Sequence, residues 1–352
     1  MRIGMITLNV YSNYGNMLQK YALYHSLKKY AEEVEVLWQH STIPFLPYKL
    51  EQDRNEEGNR KNTAFVAVRQ SKVKDFNDTY IQTRYDIPYL EDLADEYDYF
   101  VIGSDQVWNP EFEVPGRFLE FAPPEKRIAY AASIAISELP EKVHETYRKK
   151  ILEMPHVSVR EKEGCDIIEK LTGKRPLQVL DPVFLLTADE WRKFEKRPAW
   201  LNKKMYANGY LLAYFFNGNP PQEVHELGKK LGLPVISLLN LNNFNYYANG
   251  VEEFLYLFNH ATFICTQSFH GTALASIFKR PFIVYRTGNI RTKRLSRLSS
   301  LLDVFGLGDR ITDIDLKIDL EDPLKIDFTR YNEVLPLERK KAFNFLANAL
   351  WK

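Results

Sequence analysis

His270 and Gly271 lie in TQSFHGTALA (266–275), a polar gap between the apolar runs ATFIC and SIF. An imidazole titrates near neutral pH and can supply or take a proton. The glycine lets backbone approach a ligand closely, and Thr266, Ser268 and Thr272 add hydroxyls. The run before the gap reads as a strand and the run after it as a helix. His270 therefore stands at a helix N-terminus, where free N–H groups suit an anion. The plainer alternative is a structural histidine in a loop capped by Ser268 or Thr266.

Other polar gaps carry further candidates. Arg160 follows VSV and can clamp a carboxylate or phosphate through two hydrogen bonds, or pair with Glu161 or Glu163 nearby. Ser104 and Asp105 in GSDQVW are suited to positioning a hydroxyl or accepting its proton; otherwise Asp105 caps the next helix. Asn13, Tyr14, Gly15 and Asn16 form a loop after the first strand, which lines a cleft or merely turns the chain. RTGNIRTKRLSR (286–297) places Arg291 and Arg294 in a basic run. It reads as a solvated face by default, yet a phosphate site near His270 would want such charge. No HExxH, paired Cys/His ligands, GxSxG, GxGxxG or GxxxxGK[ST] occurs, so no metal is expected and hydrolase or dinucleotide chemistry is poorly supported.

The elements that must hold these residues alternate. RIGMITL (2–8), VEVLW (34–38), YDYFVIG (97–103), RIAYAAS (127–133) and VSVR (157–160) read as strands, with helical spacing over 16–30. A second rhythm follows: strands in GYLLAYFF (209–216), PVISL (234–238), ATFICT (261–266) and PFIVY (281–285), and helices over 221–231, 251–259 and 270–278. The pattern implies an α/β protein of two Rossmann-like domains with mainly parallel sheets, facing a cleft. The expected division is 1–180, 181–335 and a C-terminal amphipathic helix over 336–352, whose packing against the first domain is left open. The stretch 48–75 is charged and reads as a surface excursion, a helix or a lid. In open α/β sheets ligands bind beyond the carboxyl ends of strands. The polar gaps fall at those ends.

Bulk properties narrow the class. A chain of 352 residues exceeds one compact core. Its net charge of +1, from 47 basic and 46 acidic residues, gives no reason to expect a nucleic-acid partner. Aromatic residues make up 14%, a weak hint of sugar-stacking surface. The two cysteines, Cys165 and Cys265, lie in apolar surroundings and read as buried thiols. No signal peptide or membrane span is visible, so the expectation is a cytoplasmic protein, with peripheral association at the inner face of a membrane left open.

Taken together, NYGNMLQKYAL (13–23), DYFVIGSDQVWN (98–109), AYAAS (129–133), VSVREKEG (157–164), LDPVFLL (180–186) and TQSFHGTALASIFKRPFIV (266–284) resemble the polysaccharide pyruvyl transferase family. The resemblance implies a GT-B-like fold. It also implies transfer of a pyruvyl ketal from phosphoenolpyruvate, a co-substrate, to a sugar of a bacterial cell-surface glycan or its lipid-linked precursor, without a cofactor. His270 matches the family's favoured catalytic residue, with Asp105 as its companion candidate. Arg160 matches a donor-binding arginine, and Ser268, Gly271, Thr272, Arg291 and Arg294 join it on the donor side. Asn13, Tyr14, Gly15, Asn16 and Ser104 fall to the acceptor. Ser268 stands where many relatives carry arginine, so that charge is expected from Arg291 or Arg294. Ser133, Ile134 and Ala135 stand where relatives often read Ser-Phe-Gly. The competing readings are a glycosyltransferase using a nucleotide sugar and a non-catalytic glycan-binding relative.

Overall fold

The computed structural model describes residues 1–39, 56–202, 206–286, 295–313 and 322–351. The first sheet contains β1 (Arg2–Ile6), β2 (Glu33–Gln39), β3 (Thr83–Ile87), β4 (Tyr99–Ile102), β5 (Arg127–Ala132), β6 (His156–Val159) and β7 (Leu177–Gln178). Its order is β3-β2-β1-β4-β5-β6-β7, and every pairing is parallel. The second contains β8 (Leu211–Tyr214), β9 (Val235–Leu238), β10 (Phe263–Thr266), β11 (Phe282–Arg286) and β12 (Ile311–Asp313). Its order is β12-β11-β10-β8-β9, again all parallel. Strands such as β5 and β10 are buried along their whole length, which is why they read as unbroken apolar runs.

The helices of the first half are α1 (Tyr14–Leu27), α2 (Glu56–Tyr80), α3 (Glu141–Leu152) and α4 (Lys162–Thr172). Those that follow are α5 (Ala188–Arg192), α6 (Gln222–Leu231), α7 (Phe244–Tyr247), α8 (Val251–Asn259), α9 (Phe269–Ile277), α10 (Leu295–Phe305) and α11 (Thr329–Leu350). The two sheets do not have separate cores on the side where they meet. One apolar cluster runs from Ile3 and Leu18 through Phe184 and Phe254 to Leu274 and Leu346, joining both halves. Helix α1 sits at its centre and buries every residue except His25, so it lacks the one-sided pattern of a surface helix.

Helix α2 spans much of the charged 48–75 stretch; residues 40–55 lie outside the described residues. It is a strut between the halves. Val73 and Phe76 enter the core, Lys72 Nζ pairs with Glu253 of α8 at 2.8 Å, and Arg69 donates to Ser12 O at 2.9 Å and stacks on Tyr247. The C-terminal helix, expected over 336–352, begins at Thr329 and carries Pro336 within it. It returns to the first half: Tyr30 Oη donates to Phe343 O at 3.1 Å, and Arg339 donates to the carbonyls of Phe184 and Leu186. The acidic stretch DIDLKIDLED (313–322) contributes Asp313 to edge strand β12, and its residues 314–321 lie outside the described residues. Both cysteines are free and buried, and burial pushes the Cys165 thiol up to about 11.

Candidate active site

Strand order reverses twice, and the candidate residues gather at those reversals. In the first sheet the chain runs outward from β1 to β2 on one side and β4 on the other, so the loops after β1 and β4 flank a crevice. The loop after β4 carries Ser104–Asp105, whereas Asn13–Asn16, expected as a loop, are the cap and first turn of α1. In the second sheet β8 lies between β9 and β10, and the chain leaving β10 enters α9 at once, with Ser268 as its cap and Phe269–His270 in its first turn. The two crevices face each other through the starts of α1 and α9.

Each helix start is built by its own side chains. Asn13 caps α1, its Oδ1 accepting from Gly15 N at 2.9 Å and Asn16 N at 3.3 Å. Ser268 caps α9, its Oγ accepting from Gly271 N at 3.3 Å. Thr266 Oγ1 donates to Tyr214 O and accepts from Ser268 N at 3.0 Å, while Thr272 Oγ1 donates to Ser268 O at 2.9 Å. These hydroxyls therefore shape the loop. The first N–H groups of α9, at Phe269 and His270, remain at the tip as any helix start leaves them. Gly271 packs against Thr266 and the Tyr214 ring, which leave no room for a Cβ. Tyr14 also turns away from the crevice: its ring stacks on Phe254 at 4.2 Å and its hydroxyl donates to Asn249 O at 2.6 Å, binding the two halves together.

Between the helix starts lies a buried charged network. Arg160 Nε donates to Glu161 Oε1 at 2.7 Å, and Nη1 donates to Asp181 Oδ2 at 2.7 Å. Nη2 stands 3.8 Å from Asp105 Oδ1, and the guanidinium lies over the Phe269 ring of α9 at 4.4 Å. Burial disfavours the guanidinium charge, but Glu161, Asp181 and Asp105 outweigh it and hold Arg160 charged. Asp105 accepts from Asn16 Nδ2, tying the loop after β4 to α1. Ser133 Oγ donates to Glu161 Oε1 at 2.8 Å.

Asp181 is the hub. Its Oδ1 accepts from Val183 N at 3.0 Å, capping the turn that Pro182 starts. Its Oδ2 accepts from Arg160 and from Ser104 Oγ at 3.3 Å, and lies 3.5 Å from His270 Nε2. That last separation is an ion-pair distance, at the outer edge of hydrogen bonding. Burial alone would raise the Asp181 carboxyl; His270, Arg160 and the Val183 N–H outweigh it and hold it well below the usual carboxylate range. Within this network, three buried atoms have no hydrogen-bond partner among the described residues: Arg160 Nη2, Glu161 Oε2 and His270 Nε2. A buried polar group left open in this way is a place for a ligand to complete.

Backbone strain marks the same region. Asp105 (φ 67°), Ala131 (φ 50°) and Ala135 (φ 59°) all occupy the left-handed region without being glycine. Such conformations cost on the order of 1–2 kcal/mol each and persist where surroundings impose them. Here Asp105 O accepts from Ser133 N at 3.0 Å and Ser133 O accepts from Trp108 N at 3.2 Å, locking the two loops together. Ile134, which follows this lock directly, is fully buried.

The structure thus brings Asn16, Ser104, Asp105, Arg160 and His270 into one site, with Gly15 against the imidazole. Arg291 and Arg294 lie outside the described residues. Among the described residues no three His, Cys, Asp or Glu side chains form a metal-ligating group. The plainer sequence reading, that Arg160 pairs with Glu161, holds; sequence reasoning passed over Phe269 and above all Asp181. The signal for Asp181 was present, a lone acid in the apolar run LDPVFLL.

A family model described as polysaccharide pyruvyl transferase matches residues 13–289. That interval contains both helix starts and the whole charged network. The chain belongs to the polysaccharide pyruvyl transferase family. No curated protein matches it. Among solved structures, it is similar to the UDP-GlcNAc 2-epimerase from Neisseria meningitidis bound to UDP-GlcNAc, at 11% identity over 99% of this chain and 100% of that one, with a TM-score of 0.44. The UDP-GlcNAc 2-epimerase from Methanocaldococcus jannaschii gives 13% identity over 96% and 99%, with a TM-score of 0.46. The ADP-heptose lps heptosyltransferase II from E. coli gives 11% identity over 99% and 98%, with a TM-score of 0.34.

Gly15 offers a direct test of the facing helix starts. A Cβ at this position would collide with Nδ1 and Cγ of His270. Gly15→Ala must therefore push α1 from α9 or turn the imidazole. The expected cost is roughly 1–3 kcal/mol, as for other overpacking changes. Thermal unfolding should show a lowered Tm, and turnover should fall with it. An unchanged Tm with unchanged turnover would mean that the contact is not kept in solution.

Proposed function

We propose that this transferase moves a pyruvyl ketal from phosphoenolpyruvate to two hydroxyls of one sugar in a bacterial cell-surface glycan or its lipid-linked precursor. The observation that carries this reading is His270. It is 8% exposed, stands at the start of α9, faces α1 across the crevice, and lies 3.5 Å from a buried carboxylate.

The chemistry proceeds in balanced steps. A proton added to the methylene carbon of phosphoenolpyruvate leaves cationic character at C2. One sugar hydroxyl forms a C–O bond to C2 and loses its proton. The second hydroxyl then forms the other C–O bond as the bond from C2 to the phosphate oxygen breaks. The products are the ketal and inorganic phosphate. His270, as imidazolium, supplies the first proton and regains one from an attacking hydroxyl. Asp181 faces that imidazolium with a negative charge and holds it in place. The start of α9 receives the phosphate as its charge grows. Arg160 Nη2, the vertex of the guanidinium without a hydrogen bond, takes a donor oxygen. Asp105, held by Asn16 beside Ser104, takes the second hydroxyl proton.

Among the described residues no helix is long and apolar enough to cross a membrane. A lipid-linked acceptor would bring the protein to the membrane surface. The test is incubation of the full chain with phosphoenolpyruvate and candidate glycans, followed by mass spectrometry and phosphate assay. The expected result is one ketal formed per phosphate released. Phosphate without ketal, or transfer only from a nucleotide sugar, would overturn the reading.

A further inference from the structure

One turn and a third beyond Gly15, α1 buries a cation that the steps above do not use. Lys20 is 1% exposed. Its Nζ donates to Asn9 Oδ1 at 3.0 Å and lies over the rings of Tyr11 and Trp38, at 5.7 and 5.9 Å from their centroids. Among the described residues no carboxylate lies within ion-pair distance of it. A buried ammonium normally has a counter-charge, because desolvating one alone is costly. Burial lowers this lysine to about 7, with the charge of Asp78 acting weakly against that.

The surroundings of Lys20 are aromatic. Tyr11 and Trp38 lie 5.2 Å apart between ring centroids, and Trp38 and Tyr85 lie 5.7 Å apart. Tyr11 Oη and Tyr85 Oη share a hydrogen bond at 3.1 Å. Tyr85 is 38% exposed and Val10 is 43% exposed, so the cluster has an outer rim. Tyr11 lies in the loop after β1, and Trp38 is the last residue but one of β2, so both occupy the strand ends where such sheets bind ligands.

We propose that Tyr11, Trp38, Tyr85 and Lys20 form a subsite for an acidic saccharide, a pyranose bearing a carboxylate or a phosphate, stacked on the aromatic rims with its acid turned toward Lys20. Aromatic faces take the C–H face of a sugar, the phenol and Asn9 groups meet its hydroxyls, and the acid completes the counter-charge. That this sugar belongs to the acceptor rests on the ketal-transfer reading; its binding does not.

The test titrates the full chain with methyl glucuronide, glucose 1-phosphate and methyl glucoside by calorimetry. The wild-type protein is expected to bind at least one acidic sugar about 10-fold or more tightly than the neutral one, the effect of a single charge-assisted hydrogen bond. Lys20→Met should remove that preference, keep the neutral sugar's affinity and raise Tm. Trp38→Ala should weaken all three. No preference in the wild type, or a preference kept by Lys20→Met, overturns the subsite. Acidic-sugar binding that depends on Lys20 without any ketal formation would sustain the subsite and defeat the ketal-transfer reading. Ketal formation on neutral glycans, with no acidic preference, would do the reverse.

Discussion

His270→Ala is expected to fold and to lose ketal transfer by roughly 10²–10⁴-fold, the usual worth of a positioned general acid. The loss should fall on kcat, since the proton moves only as the reaction proceeds. Donor affinity should change less, because the α9 N–H groups and Arg160 remain. Folding should tolerate the change. Asp181 keeps its bonds to Arg160, Ser104 and the Val183 N–H, so no carboxylate is stranded when the imidazole goes. Single-turnover release of phosphate, measured beside thermal unfolding, separates these effects. A folded variant with wild-type rates would remove His270 from the mechanism and with it the main support for the proposed chemistry.

The parallel sheets were legible because their strands are buried on both faces. FICT of β10 and the fully buried RIAYAA of β5 have no polar alternation to mislead a reader. Helix α8 was read at its observed limits, 251–259, because its apolar stripe has one clear side. Helix α2 was harder. Its charged residues point partly to solvent and partly across to the other half, so Arg69 and Lys72 read as surface although they join the halves, through Tyr247 and Glu253. Lys20 was invisible for a related reason: a lysine in a helix is ordinarily solvated, and the aromatic rings that lie against its ammonium come from two other segments. Asp181 depended on closure in space. Its partners lie 77 residues back at Ser104 and 21 back at Arg160, with the imidazole of α9 on its other side. Spacing along a chain carries no trace of such a meeting.

Arg160→Ala should be costly to the fold before it is costly to the donor. Among the described residues the guanidinium is the one cation shared by Asp105, Glu161 and Asp181, all buried. Its removal strands their charge and takes the cation from the Phe269 ring, and breaking a buried pair from one side typically costs about 3–5 kcal/mol. The pH dependence has a defined sign. In the wild type the Asp181 carboxyl is held below its unfolded value of about 3.9, so its contribution is present above that pH and is lost as acid protonates it. Without Arg160, burial is opposed by His270, Ser104 and the Val183 N–H, the carboxyl moves upward, and the variant relieves its buried charge by taking up a proton. The Tm difference between variant and wild type should therefore be greatest near neutral pH and narrow as pH falls toward 4. Below the unfolding range, the folded variant should bind phosphoenolpyruvate roughly 10- to 150-fold more weakly, the effect of one charge-assisted hydrogen bond from Nη2. Arg160→Lys cannot reproduce the fork that reaches Glu161 and Asp181 together, so it should restore only part of either property. Lost stability with unchanged donor affinity would make Arg160 a strut between the halves and leave the donor to the start of α9. Unchanged stability would mean that the network is not held in solution as it stands here.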